Sequence, residues 1–198
     1  MDYTQTTLRL NNKNLTELPD DISSYTNLNK LICVHNQLTA LDNLPQTLKR
    51  LFCQYNKISS LDNLPQTLIK LYCNNNKLTS LNYLPVALEI LDCHDNHLTE
   101  LDNLPTNLIE LFCSNNKINS LSNLPPALQV LVCHYNIISS ITLPNQLNIL
   151  ICSNNKLTRL DNLPLTLDTL LCSNNPMIYD FEPTLDTLKK YNKNSNKN

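Results

Sequence analysis

From Leu48 the chain reads LKRLFCQYNKISSLDNLPQT, and from Leu68 it reads LIKLYCNNNKLTSLNYLPVA. The apolar positions of both segments fall into one pattern, LxxLxCxxNxLxxLxxLPxx. Its first half alternates. Leu51 and Cys53 point one way and Phe52 the other, which is the period of a strand with one buried face. Its second half, Ile58 to Pro65, spaces its apolar residues by three. That return leg is too short for much α-helix, and its proline favours extended or polyproline-like backbone. The pattern therefore predicts very short strands joined by irregular arcs. Stacked copies would form a parallel sheet with neighbours about 4.8 Å apart, so that nine strands span roughly 40 Å.

The pattern recurs along the whole chain. Cysteine stands at 33, 53, 73, 93, 113, 133, 152 and 172, a step of 20 residues broken once by a step of 19, where a residue is missing between Ile141 and Leu143. Asparagine follows each cysteine by three, at Asn36, Asn56, Asn76, Asn96, Asn116, Asn136, Asn155 and Asn175, and Leu-Pro recurs at 45, 65, 85, 105, 125, 144 and 164. A fixed period of this size marks a repeat architecture, in which one copy cannot bury its apolar face but a stack can. The ends depart from the pattern, as terminal caps do. The first copy, about residues 8–27, has Leu10 in the cysteine slot and Lys13 in the asparagine slot. Its longer return leg carries Pro19, Ile22 and Leu28, the mark of a helix-bearing copy. Regular copies run over about 28–182. A partial copy at 183–191 begins as Thr184-Leu185-Asp186-Thr187-Leu188 but puts Lys190 where a buried cysteine belongs, so the stack should stop there. The polar tail 192–198 is expected to be disordered.

Eight in-phase copies resemble the leucine-rich repeat family, whose consensus is LxxLxLxxNxL, over about residues 8–188. The 20-residue form with Leu-Pro ahead of the strand is similar to the repeats of bacterial effector proteins. The asparagine-rich, glycine-free composition with cysteine in the strand is similar to repeat proteins of giant amoebal viruses. The resemblance implies a leucine-rich-repeat solenoid, α/β by family but with little helix, whose curved parallel sheet lines the concave face. It also implies a recognition scaffold, as most members are. Some bacterial effectors join such repeats to a ubiquitin-ligase domain, and that activity has no residues to map onto here.

Composition narrows the choice. Leu and Asn fill more than a third of the chain, and glycine is absent. Phosphate-cradling loops, dinucleotide fingerprints and nucleophile elbows need a residue without a Cβ at fixed places, so none can be built in its usual form. A net charge of −2 and a charged fraction of 16% argue against nucleic-acid or membrane partners, which call for a strongly basic field. No apolar run approaches the roughly 18 residues of a membrane span. The start, MDYTQTTLRL, has no basic segment followed by an apolar one, so a cytoplasmic protein is expected, in the host cytoplasm if it is viral or an effector.

The chemistry-bearing residues fall into columns. Neighbouring cysteines of a parallel ladder have near-parallel Cβ vectors about 4.8 Å apart, wider than the roughly 3.5–4.5 Å of a disulfide. They read as small apolar core residues, and eight reduced thiols suit a reducing compartment. The ladder asparagines read as structural, bonding the turn backbone of their own and the next copy. Asp92 and His94 share one strand face about 6.6 Å apart, with His97 nearby, and could bind a metal or move a proton. They lack a third close ligand, and no metal or other cofactor is expected. Lys57, Lys77, Lys117 and Lys156 line one edge, Asp42, Asp62, Asp102 and Asp161 the arc.

The outward file Ile32, Phe52, Tyr72, Asp92, Phe112, Val132, Ile151 and Leu171 is apolar or aromatic at seven of its eight places, on a face expected to be exposed. Such a patch usually marks an interaction site. Beside it stand Lys30, Arg50 and Lys70, with Tyr55 and Tyr135 at the rim. The expected function is non-catalytic binding of another protein, by a monomer, through this concave face. A metal or enzymatic centre at Asp92, His94 and His97 and a self-associating structural protein are the alternatives.

Overall fold

The computed structural model describes residues 2–195. Nine three-residue strands form one parallel sheet: Thr7–Arg9 (β1), Lys30–Ile32 (β2), Arg50–Phe52 (β3), Lys70–Tyr72 (β4), Ile90–Asp92 (β5), Glu110–Phe112 (β6), Val130–Val132 (β8), Ile149–Ile151 (β10) and Thr169–Leu171 (β11). Each pairs with its sequence neighbour in strict register, Leu31 on Leu51 on Leu71 on Leu91 and onward. The register follows from the fixed repeat length, and a slip of one residue would turn every leucine to the wrong face. Leu28, Leu48, Leu68, Leu88, Leu108 and Leu128 lead into the strands, and they and the cysteines at 33, 53, 73, 93, 113 and 133 are fully buried. The core is therefore one continuous column of leucine and cysteine.

The turns that close each copy are equally periodic. The N–H of Leu68 donates to the carbonyl of Pro65 at 3.0 Å, and the same bond recurs at Leu48, Leu88, Leu108, Leu128, Leu147 and Leu167. Leu-Pro thus starts the tight turn that feeds the next strand. One position in every copy and a second in five of the eight take left-handed backbone, and without glycine other residues hold it. The place two after each cysteine has φ of 52–56° in all eight copies, held by His35, Tyr55, Asn75, Asp95, Asn115, Tyr135, Asn154 and Asn174. Asn43, Asn63, Tyr83, Asn103 and Asn162 do the same in the arc. Asn and Asp tolerate this region best among residues with a Cβ, which accounts for much of the asparagine content.

Three features depart from the sequence reading. A second small parallel pair, Ser120–Leu121 (β7) with Ser140–Ile141 (β9), forms on the arc. β7 belongs to a copy whose Asn123 is not left-handed, and β9 to the copy that is one residue short. In the first copy the expected helix is only a single 3-10 turn, Ile22–Ser24, with Ile22 buried. At the other end the chain does not begin another repeat. Leu185–Ser195 form an α-helix (α1), capped where Thr184 Oγ1 accepts from the N–H of Thr187. Leu185, Leu188 and Asn192 recur at helical spacing, and Leu188 is fully buried over the end of the core. The expected disorder from Asn192 is thereby corrected for 192–195: Asn192 is buried and donates to the carbonyl of Leu160 at 3.2 Å. Residues 196–198 lie outside the described residues. Among the described residues no helix is long and apolar enough to cross a membrane.

Candidate functional site

The strands are too short to carry a site alone, but stacking aligns their outward side chains into files. Phe52 and Tyr72, on adjacent strands in register, stack with ring centroids 4.7 Å apart and planes 7° from parallel. The Lys30 ammonium lies over the Phe52 ring, 5.0 Å from its centroid. Arg50, on the same strand as Phe52, reaches Asn29 Oδ1 at 3.4 Å and is exposed, while Lys30 and Lys70 are half-buried. Burial first, then the carboxylates of Glu110 and Asp92, raises the pKa of the Tyr72 hydroxyl.

The outward file is less open than expected. Ile32 is buried at 8% exposure, and Phe52, Tyr72, Phe112, Val132 and Ile151 are half-buried. Neighbours only one strand spacing away cover each other's flanks. Leu171, in the last strand, is 54% exposed. Tyr55 and Tyr135 stand out from the rim: Tyr55 stacks on His35 at 4.3 Å, and Tyr135 meets His134 edge-on at 5.4 Å.

In the middle of the face Asp92 and His94 do come together, with His94 Nδ1 2.5 Å from Asp92 Oδ1. The other ring nitrogen, Nε2, lies 3.2 Å from Asn74 Nδ2 and 3.5 Å from Asp95 Oδ2. The hydrogen bond to Asp92 raises the pKa of His94 against the opposing effect of burial. His134, two copies on, bonds Ser114 Oγ through Nδ1 at 2.9 Å, and burial lowers its pKa. A shallow cleft of about 290 Å³ opens between them, lined by His94, Asp95, Phe112, Ser114, Asn115, Val132 and His134. His97 is exposed beyond the ladder asparagine and does not join the group. Among the described residues no three His, Cys, Asp or Glu side chains gather as metal ligands would. The partners Asn74 and Ser114 were missed because each lies a full repeat from the histidine it touches. Their common place, one after the cysteine, was the available signal.

The inward ladders are fully bonded. Asn96 Nδ2 donates to the carbonyls of Cys73 and Cys93, both at 3.1 Å, and its Oδ1 accepts from the N–H of Leu78 at 2.9 Å. The pattern recurs from Asn36 to Asn175. Each asparagine thus ties its own turn to the preceding copy, where the sequence reading had the following one, because the strand order carries each turn back over the one before. All eight cysteines are free and buried. Burial pushes the Cys33 thiol up to about 12 and raises the others as well. Such thiols are poor nucleophiles at neutral pH.

No protein-family model matches the chain, and no curated protein matches it in sequence. Solved structures do. YopM from Yersinia pestis, a leucine-rich effector protein, is 37% identical with a TM-score of 0.76, over 81% of this chain and 46% of that one. The functional domain of InlJ from Listeria monocytogenes, which includes a cysteine ladder, is 37% identical with a TM-score of 0.81, over 89% of this chain and 41% of that one. A Shigella effector leucine-rich-repeat domain is 29% identical with a TM-score of 0.69, over 98% of this chain and 77% of that one. The chain spans about half the length of the YopM structures it matches. These matches carry the likeness to bacterial proteins. They do not carry the likeness to viral ones.

Proposed function

Because the chain is a leucine-rich-repeat protein resembling bacterial effector repeat domains, we propose that it is a non-catalytic scaffold that binds another protein through its concave sheet. The observation that carries this reading is the stacked Phe52–Tyr72 pair, with Lys30 on its flank, continued by Phe112, Val132 and Ile151. Binding energy concentrates in a few aromatic anchors with cations nearby, and half-buried rings lose little freedom on docking. The cytoplasm suits this function, since eight free thiols persist in a reducing compartment. Asp92 and His94 serve as polar contacts of the same face.

The test is selection of binders from a random displayed-peptide library on the full chain. Selected peptides should lose at least about tenfold in affinity, roughly 1.4 kcal/mol, on Phe52→Ala with Tyr72→Ala. Arc substitutions Gln46→Ala and Gln66→Ala should leave binding unchanged. Binders that ignore the stripe and respond to the arc would move the site to the convex side.

A further inference from the structure

The concave face is divided by charge. Lys30 pairs in register with Arg50, and Arg50 with Lys70, so three cations stand in one file at about 4.8 Å spacing. Lys49 is exposed beside them. Like charges directly opposite each other destabilise a sheet. Among the described residues no carboxylate lies within ion-pair distance of any of the four; the ion pairs there are His94 with Asp92 and Asp95, and Arg159 with Asp161. Among the described residues the contacts that soften the file are neutral ones, the Phe52 ring under Lys30 and the Asn29 amide at Arg50. Over β5 and β6 the sign inverts, and beyond them the file is uncharged at Val130, Ile149 and Thr169. Ile90 follows Lys70 in the file and Glu110 follows Ile90, with Glu89, Asp92 and Asp95 around them. The aromatic stack lies alongside the basic half.

We propose that the concave face takes an extended segment of a partner protein lying across the strands, with a carboxylate-bearing stretch on Lys30, Arg50 and Lys70 and a basic stretch on Asp92 and Glu110. Apolar residues between the two stretches rest on Phe52, Tyr72 and Phe112. This rests on the concave-face reading above and adds the partner's chemistry. The spacing sets its length. From β3, the centre of the basic file, to midway between β5 and β6 is two and a half strand spacings, about 12 Å, which an extended chain covers in about four residues. A uniform polyanion such as a nucleic-acid strand fits the first half and is repelled by Glu89, Asp92 and Glu110. Charge complementarity of this kind fixes register and suppresses wrong partners more than it adds affinity.

The test uses two labelled peptides of identical composition and the full chain, read by fluorescence anisotropy. In the first, an Asp/Glu block and a Lys/Arg block are centred about four residues apart, with Leu and Tyr between them; in the second the charges alternate. The block peptide should bind at least about tenfold more tightly, and the difference should shrink with added salt. Arg50→Glu with Lys70→Glu should remove that preference. A peptide with lysine in both blocks should then regain affinity for this variant, which a misfolded chain could not do. Equal binding of both peptides, binding of neither, indifference to charge reversal, or tighter binding of a short poly(dT) strand would each overturn the proposal. Library-selected peptides that depend on Phe52 and Tyr72 but show no charge order would overturn it while leaving the concave-face reading intact. Selected peptides that ignore the stripe would remove that reading itself.

Discussion

The two faces of each strand are built from consecutive residues and obey opposite rules. Inward, Leu91 and Cys93 have near-copies in every neighbouring repeat, are fully buried and meet the same partners each time. Outward, Asp92 stands between Tyr72 and Phe112 in the same file, and its neighbours along the sheet change in size, charge and polarity. The inward face must satisfy one geometric condition repeated along the stack, so its sequence repeats. The outward face has no partner within the fold that would require repetition. Its variation is therefore free to encode recognition, at the cost of whatever its own neighbours impose, such as the lysine and arginine file.

This contrast can be broken or sharpened by substitution. The largest effect is expected inside: Leu91→Ala should destabilise the fold by about 2–5 kcal/mol, from lost transfer energy and the cavity left behind, measured by denaturant unfolding. Asn96→Ala leaves the N–H of Leu78 without its partner and takes one of two asparagine donors from each of the carbonyls of Cys73 and Cys93, and should cost about 1–3 kcal/mol. An Asn96→Ala chain as stable as the wild type would mean that the ladder is dispensable. Outside, Phe52→Ala should cost about 0.5–1.5 kcal/mol for the lost aromatic pair in addition to the ring's partial burial, less than Leu91→Ala, while removing most peptide binding. Tyr83→Asn should go the other way. Tyr83 is 85% exposed and holds φ at 59°, so a residue that tolerates the left-handed region should raise stability by up to about 1 kcal/mol.

The smallest effect is a balance between two histidines. The pKa of His94 is raised in the fold by Asp92, so its contribution is fully present below the unfolded value of about 6.5 and is lost as pH rises through the folded one. The pKa of His134 is lowered by burial, so its neutral form favours folding, and that contribution is lost as pH falls through the depressed value. The slopes oppose each other. His94→Ala should make the chain relatively less stable at the acidic end, and His134→Ala relatively less stable at the basic end. Parallel pH profiles for the two variants would show that the two environments do not differ as described.

How much of this was legible follows from the same contrast. The strands, their register, the free cysteines and the structural asparagines could be read from the 20-residue period, because a buried ladder admits one arrangement. Asp92 beside His94 was legible from their spacing of two on a strand. The Asn74 and Ser114 contacts were not, since they depend on rotamers chosen across repeats. The β7–β9 pair was hidden as well: Ser120 and Ile141 look like ordinary arc residues. Helix α1 was masked by a local likeness, Thr184–Leu188 copying Thr166–Leu170, although Lys190 in the cysteine slot and Lys193 in the asparagine slot both speak against a further repeat. The half-burial of Phe52 and Tyr72 arises from neighbours 20 residues away and has no mark in the strand itself.

The glycine-free backbone also bears on how the molecule ages. Asparagine deamidates when the backbone nitrogen of the next residue attacks the side-chain amide, and the reaction runs fastest where that next residue is glycine. This chain has thirty-two asparagines and no Asn-Gly step. In the ladder the attacking nitrogens are also occupied: the N–H groups of Lys57, Lys77, His97 and Lys117 donate to carbonyls of the preceding copy at 2.8–2.9 Å, and the amides themselves are pinned by their own bonds. For these ladder asparagines the clock of spontaneous deamidation should therefore run slowly, and deamidation should concentrate in the exposed asparagines of the arc.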